Sequence, residues 1–129
     1  MWLAIGVGGA LGALARWSVG EVVLHWLGAS TFPWDTLTAN VIGCAAIGML
    51  APVVIRRTAW VAGFVVTGFL GGFTTYSAFA EETFVLLDRG DTQGTVLAAV
   101  YVLVTITATS IAVLLGSRLA PVTFDEEPA

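Results

Sequence analysis

The stretch Gly68-Phe69-Leu70-Gly71-Gly72-Phe73-Thr74-Thr75-Tyr76-Ser77-Ala78-Phe79 puts three glycines and a run of hydroxyls in the middle of an otherwise apolar segment. In water such a stretch would read as a loop. In hydrocarbon, an interrupted helix is tolerated only where the freed backbone groups line a cavity or hold something. The rest of the chain decides which solvent applies. Of its 129 residues, 57% are hydrophobic and only 11% are charged, far from the balance of a water-soluble domain.

A helix rising 1.5 Å per residue crosses a hydrocarbon core of roughly 30 Å with about 20 apolar residues. Runs of that length recur here, and they predict four spans, from about residue 2 to 27, 34 to 55, 58 to 87 and 92 to 115. The first apolar run lacks a basic leader and continues past signal-peptide length, so it reads as a permanent span. Residues 116–129 form a tail that carries Asp125, Glu126 and Glu127. The connections are short and show no repeat of solenoid length. The fold expected is therefore an all-α membrane protein: a single four-helix transmembrane domain with a broken third helix.

Cys44 is the single cysteine, which excludes an intrachain disulfide, and it reads as a packing residue. The sequence carries no P-loop, paired metal-ligand motif or nucleophile elbow, so an enzyme is not expected. Function is expected inside the membrane. The chain has no lysine; Arg56, Arg57 and Arg118 fall on one side, and Arg89 on the other, with Arg16 past the middle of the first span. That bias is weak under the positive-inside rule. Two readings stand: one orientation with a small bias, or insertion both ways and pairing with an inverted copy. Small residues at Gly8/Gly12, Ala39/Gly43, Cys44/Gly48 and Gly68/Gly72 suit close helix packing and oligomerisation.

Polar residues within spans are the informative ones, because each must find a partner or face water. Arg16 reads either as an anion-attracting vestibule or as an interfacial anchor. Thr36 and Asn40 lie four apart on one helical face, and there an amide and a hydroxyl can meet an anion without a fixed positive charge; interhelical glue is the other reading. Tyr101, Thr105 and Thr109 repeat that spacing in the fourth span. In the third span Gly68, Gly71 and Gly72 mark a place for the helix to break. Carbonyls freed there suit a small hard cation such as Na⁺. After the glycines come Thr74, Thr75 and Ser77, with Tyr76 and Phe79 on one face and Glu82 on the same face. Aromatic edges carry partial positive charge, so rings, hydroxyls and an amide together form a plausible anion path.

The segments GGALGALARW around Arg16, TLTANVIG around Asn40, GFLGGFTTYSAFAEE in the third span and YVLVTITAT in the fourth resemble the small fluoride channels called Fluc or CrcB, over essentially the whole chain. The resemblance implies a multi-pass cell-membrane protein that assembles as an antiparallel, dual-topology dimer with two fluoride pores along the subunit interface. It also implies a structural, non-transported Na⁺ at the dimer centre, held by backbone carbonyls at Gly71 and Thr74. On this resemblance the pore residues are Asn40, Tyr76, Phe79, Tyr101, Thr105 and Thr109, with Thr75 and Ser77 nearby, while Arg16 and Glu82 occupy motif positions. The family usually has Phe where Tyr76 stands, which bears on whether the partner is a second copy or a paralogous subunit. The expected function is passive export of cytoplasmic fluoride, giving fluoride resistance. The alternatives are a small proton-coupled multidrug exporter, for which Glu21, Glu81 and Glu82 are poorly placed, and a non-conducting subunit.

Overall fold

The computed structural model describes residues 1–120, and these are helical apart from short turns. Four stretches are long and apolar enough to cross a membrane: Trp2–Leu27, Trp34–Val54, Ala59–Asp88 and Thr92–Leu119. The third consists of two helices. We call the elements α1 (Trp2–Leu27), α2 (Trp34–Val54), α3 (residues 59–73), α4 (Tyr76–Asp88) and α5 (Thr92–Leu119). Residues 121–129, which include the acidic run of the tail, lie outside the described residues.

Local sequence explains where these helices start. Thr58 accepts a hydrogen bond from Val61 N at 3.5 Å, Thr75 one from Ala78 N at 3.2 Å and Asp91 one from Gly94 N at 2.6 Å, so side-chain oxygens cap α3, α4 and α5. Gly90, at φ 68°, makes the left-handed turn between α4 and α5. Within α3, Gly63–Leu70 is wound as a wider π-helix.

Two seams hold the helices together, α1 against α3 and α2 against α5. Both are built on glycine. A methyl group on Gly12 would overlap the Phe69 carbonyl, and one on Gly72 the Gly9 carbonyl; Gly48 and Gly116 stand in the same relation to the Val113 and Ala45 carbonyls across the other seam. Without a hydrophobic driving force in lipid, such backbone approach is what lets dispersion hold helices together. The glycine pair of the first span, expected to serve close packing and oligomerisation, is therefore used within the chain, where Gly8 meets Phe64 and Gly12 meets Phe69.

The glycines also differ from expectation in the third span. Gly68 and Gly72 remain helical and press against α1, while the chain leaves the helix at Thr74 (φ −81°, ψ 153°) and Thr75 (φ −144°, ψ 124°). The break follows the glycines because they are needed for packing. If the seam is as close as this, Gly12→Val should destabilise the protein by about 3 kcal/mol, since a backbone carbonyl cannot move aside. Gly6 has open space around it, so Gly6→Val should leave the thermal unfolding midpoint in detergent nearly unchanged. Equal midpoints for the two variants would contradict the packing described.

Candidate functional site

Two extended residues in mid-membrane leave backbone groups without their helical partners, and Asn40 of α2 meets them. Its Oδ1 accepts from Thr75 N at 2.8 Å and its Nδ2 donates to Thr75 O at 2.9 Å. The amide side chain thus stands in for a peptide group, pairing with both backbone groups of one residue. Thr75 N–H would otherwise have closed the helical bond on Gly71 O; it is turned to Asn40 instead. The next carbonyl, that of Gly72, receives Arg16 Nε at 3.4 Å. Arg16 therefore reaches from α1 to the edge of the break. It also lines a crevice of about 280 Å³ with Glu21, Asp35 and Thr36.

Thr36, one turn before Asn40, is buried and donates to Glu82 Oε1 at 2.6 Å, while the Tyr101 hydroxyl donates to Glu82 Oε2 at 2.6 Å. Glu82 is thereby held by two hydroxyls from two other helices. Tyr101 is fully buried, and its ring lies 5.4 Å from that of Phe79, which is itself 5.9 Å from Tyr76. Both pairs are tilted, so ring edges as well as faces are presented.

Beside these rings runs an open groove of about 480 Å³, lined by Asn40, Thr74, Thr75, Tyr76, Phe79, Thr105 and Thr109. The hydroxyl stripe of α5 divides into three different roles along it. Tyr101 is committed to Glu82, and Thr109 Oγ1 donates back to the Thr105 carbonyl at 2.7 Å. Thr105 Oγ1 is closed off from solvent beside the Tyr101 hydroxyl, which itself donates to Glu82. Thr74 Oγ1 bonds the Leu70 carbonyl at 3.0 Å, and the Thr75 and Ser77 hydroxyls lie 3.2 Å apart. Gly71 is exposed on the surface of the chain near the break.

Most of the residues singled out in the sequence are brought together around the break and the groove. Thr36 and Glu82 sit behind the groove, joined to it through Tyr101. Cys44, expected only to pack, also lines the groove. Its signal was present, since it continues the Thr36/Asn40 stripe by one more helical turn.

Asn40→Asp keeps the acceptor for Thr75 N–H and loses the donor for Thr75 O, setting a carboxylate oxygen against a carbonyl. The expected loss is about 2–3 kcal/mol of stability, the cost of a buried polar group left unsatisfied, read as a lower thermal unfolding midpoint in detergent. A variant as stable as the parent would contradict the pairing of Asn40 with Thr75.

Residues 3–117 match the family described as CrcB-like protein, Camphor Resistance (CrcB). The chain is 39% identical over 117 residues to a "Fluoride-specific ion channel FluC" of Rhizobium leguminosarum bv. trifolii, covering 88% of this chain and 90% of the relative. It is 38% identical over 124 residues to the protein of that name in Erythrobacter litoralis, covering 91% and 89%. A Bordetella bronchiseptica protein of the same name is 47% identical over 92 residues, covering 69% of each chain. Match to the family over nearly all the described residues, four membrane-crossing stretches and relatives aligned over about nine tenths of their own length lead to one conclusion: the chain is a multi-pass membrane protein of the CrcB family.

Proposed function

We propose that this protein is a subunit of a fluoride-selective channel through which cytoplasmic F⁻ leaves the cell passively, giving fluoride resistance. The observation that carries this reading is the groove, where an amide, hydroxyl-bearing side chains and aromatic rings converge at membrane depth. Fluoride is small and strongly hydrated, so it needs donors to replace its water. Asn40 Nδ2 has a second N–H beyond the one used on Thr75 O, and Thr75, whose hydroxyl pairs with that of Ser77, lines the groove beside it. Several weak donors in series suit conduction, which requires that an ion be released as readily as it is bound. Arg16 lies in a separate crevice with Glu21 and Asp35, so its charge is balanced there and no fixed cation stands in the groove to trap an anion.

No motor is required. From an acidic medium fluoride enters the cell as neutral HF and dissociates in the less acidic interior, and a membrane potential negative inside then drives the anion out. The exporter alternative needs a carboxylate facing a deep drug pocket; Glu21 and Glu81 are exposed, and Glu82 is tied by Thr36 and Tyr101.

A second, inverted copy of the chain is the partner we propose. The groove is open on one side, with Tyr76 80% exposed at its rim, so another surface is needed to enclose a pore. The weak charge bias of the loops favours insertion in both orientations. The break also suits the structural Na⁺ implied by the family. With Thr75 N–H turned to Asn40, the Gly71 carbonyl lacks its helical donor, and Thr74 is extended, so carbonyls at these two positions fit as ligands of a hard cation. Bound there, the ion would offset the dipoles of the freed carbonyls and fasten the two copies together.

Two tests follow from this reading. Phe79→Ile removes the ring that contacts both Tyr76 and Tyr101 and should cut fluoride flux by about tenfold; undiminished flux would sink its assigned role. Exchange of Na⁺ for a bulky organic monovalent cation during purification should weaken the dimer or its activity, and indifference would count against the site at Gly71 and Thr74.

A further inference from the structure

The aromatic pair in the groove belongs to a longer chain of rings. From Tyr76 and Phe79 it continues to Tyr101, then to Phe32 at 5.5 Å, and from Phe32 to Trp34 at 4.6 Å. Phe32 belongs to the loop between α1 and α2 (residues 28–33) and packs against the buried cluster around Tyr101. The contact with Tyr101 is edge-on, at an interplanar angle of 87°. The loop is shaped locally: Gly28 turns at φ 69°, and Ser30 Oγ accepts from Phe32 N at 3.2 Å.

Other residues of the loop face a different way. Ser30, Thr31 and Pro33 wall a crevice of about 360 Å³ into which Glu81 and Glu82 open. The loop therefore bounds the space beside Glu82 and, through Phe32, bears on the tyrosine that holds it. A tyrosine hydroxyl moves as its ring tilts, and a 2.6 Å bond to a carboxylate tolerates little displacement. Phe79 and Phe32 are two ring neighbours of Tyr101. Removing Phe32 leaves room for the ring to tilt, and the hydroxyl then draws away from Glu82 Oε2.

We propose that Phe32 is a positioning residue for the Tyr101–Glu82 hydrogen bond, and that through this bond the α1–α2 loop sets how readily fluoride passes this end of the groove. The proposal rests on the channel reading for its second half only. Phe32→Leu keeps an apolar side chain and loses the ring; Phe32→Tyr keeps the ring.

The experiment is infrared spectroscopy of the reconstituted full-length protein, with the Glu82 carboxylate band assigned by difference against Glu82→Gln, paired with fluoride efflux from the same vesicles. Phe32→Leu should shift the band and lower flux by about fivefold, the scale of one aromatic contact, and Phe32→Tyr should restore both. An unshifted band overturns the positioning role. A shifted band with parental flux overturns the link to conduction, and a loss that Phe32→Tyr does not restore means that Phe32 is merely structural. A parent protein that releases no fluoride overturns the channel reading, while the band still tests the positioning. If Phe32→Leu does not assemble, Phe32→Met serves in its place, with the same outcomes read the same way.

Discussion

The pairing of Asn40 with Thr75 is the interaction on which the site depends. In hydrocarbon an unpaired peptide group costs several kcal/mol, so a chain that leaves the helix at Thr74 and Thr75 must be met by something. Asn40 supplies an acceptor and a donor in the arrangement of a peptide group, at 2.8 and 2.9 Å. With that clamp in place α4 starts anew at Tyr76, capped by Thr75, and the rings of Tyr76 and Phe79 lie along the groove. The same clamp withholds Thr75 N–H from Gly71, whose carbonyl thereby loses its helical donor at the surface of the chain.

The other features follow from the need to keep the break supported on both sides. Glycine seams bring α1 close enough for Arg16 to reach the Gly72 carbonyl. On the far side, Glu82 ties α2, α4 and α5 through two hydroxyls, and the aromatic chain passes beside that knot to the α1–α2 loop. The groove between these supports offers hydrogen-bond donors without a fixed cation. That is a suitable environment for an anion that must be desolvated and then let go.

Much of this was legible in the sequence, because hydropathy and length report membrane helices directly, and a polar residue within a span is conspicuous. The interruption of the third span was legible as well. Its position was not: glycine signals both a break and a close contact, and Gly68 and Gly72 turn out to serve the contact with α1. The GxxxG of the first span was ambiguous for the same reason, since spacing does not say whether the partner helix is in the same chain. Helical spacing correctly placed Thr36, Asn40, Tyr101, Thr105 and Thr109 on stripes, but a stripe cannot reveal which hydroxyl is already used. Thr109 bonds its own helix, Tyr101 is bound to Glu82, and Thr105 Oγ1 is closed off beside the Tyr101 hydroxyl. The Asn40–Thr75 and Thr36–Glu82 pairs join residues 35 and 46 positions apart, and no local pattern announces them.

The central claim is tested most directly by anion efflux from liposomes that contain the purified protein, with a K⁺ ionophore carrying the counter-charge and fluoride and chloride followed in parallel. A selective channel releases fluoride rapidly while chloride stays inside. Release of both ions at similar rates, or of neither, would contradict the account.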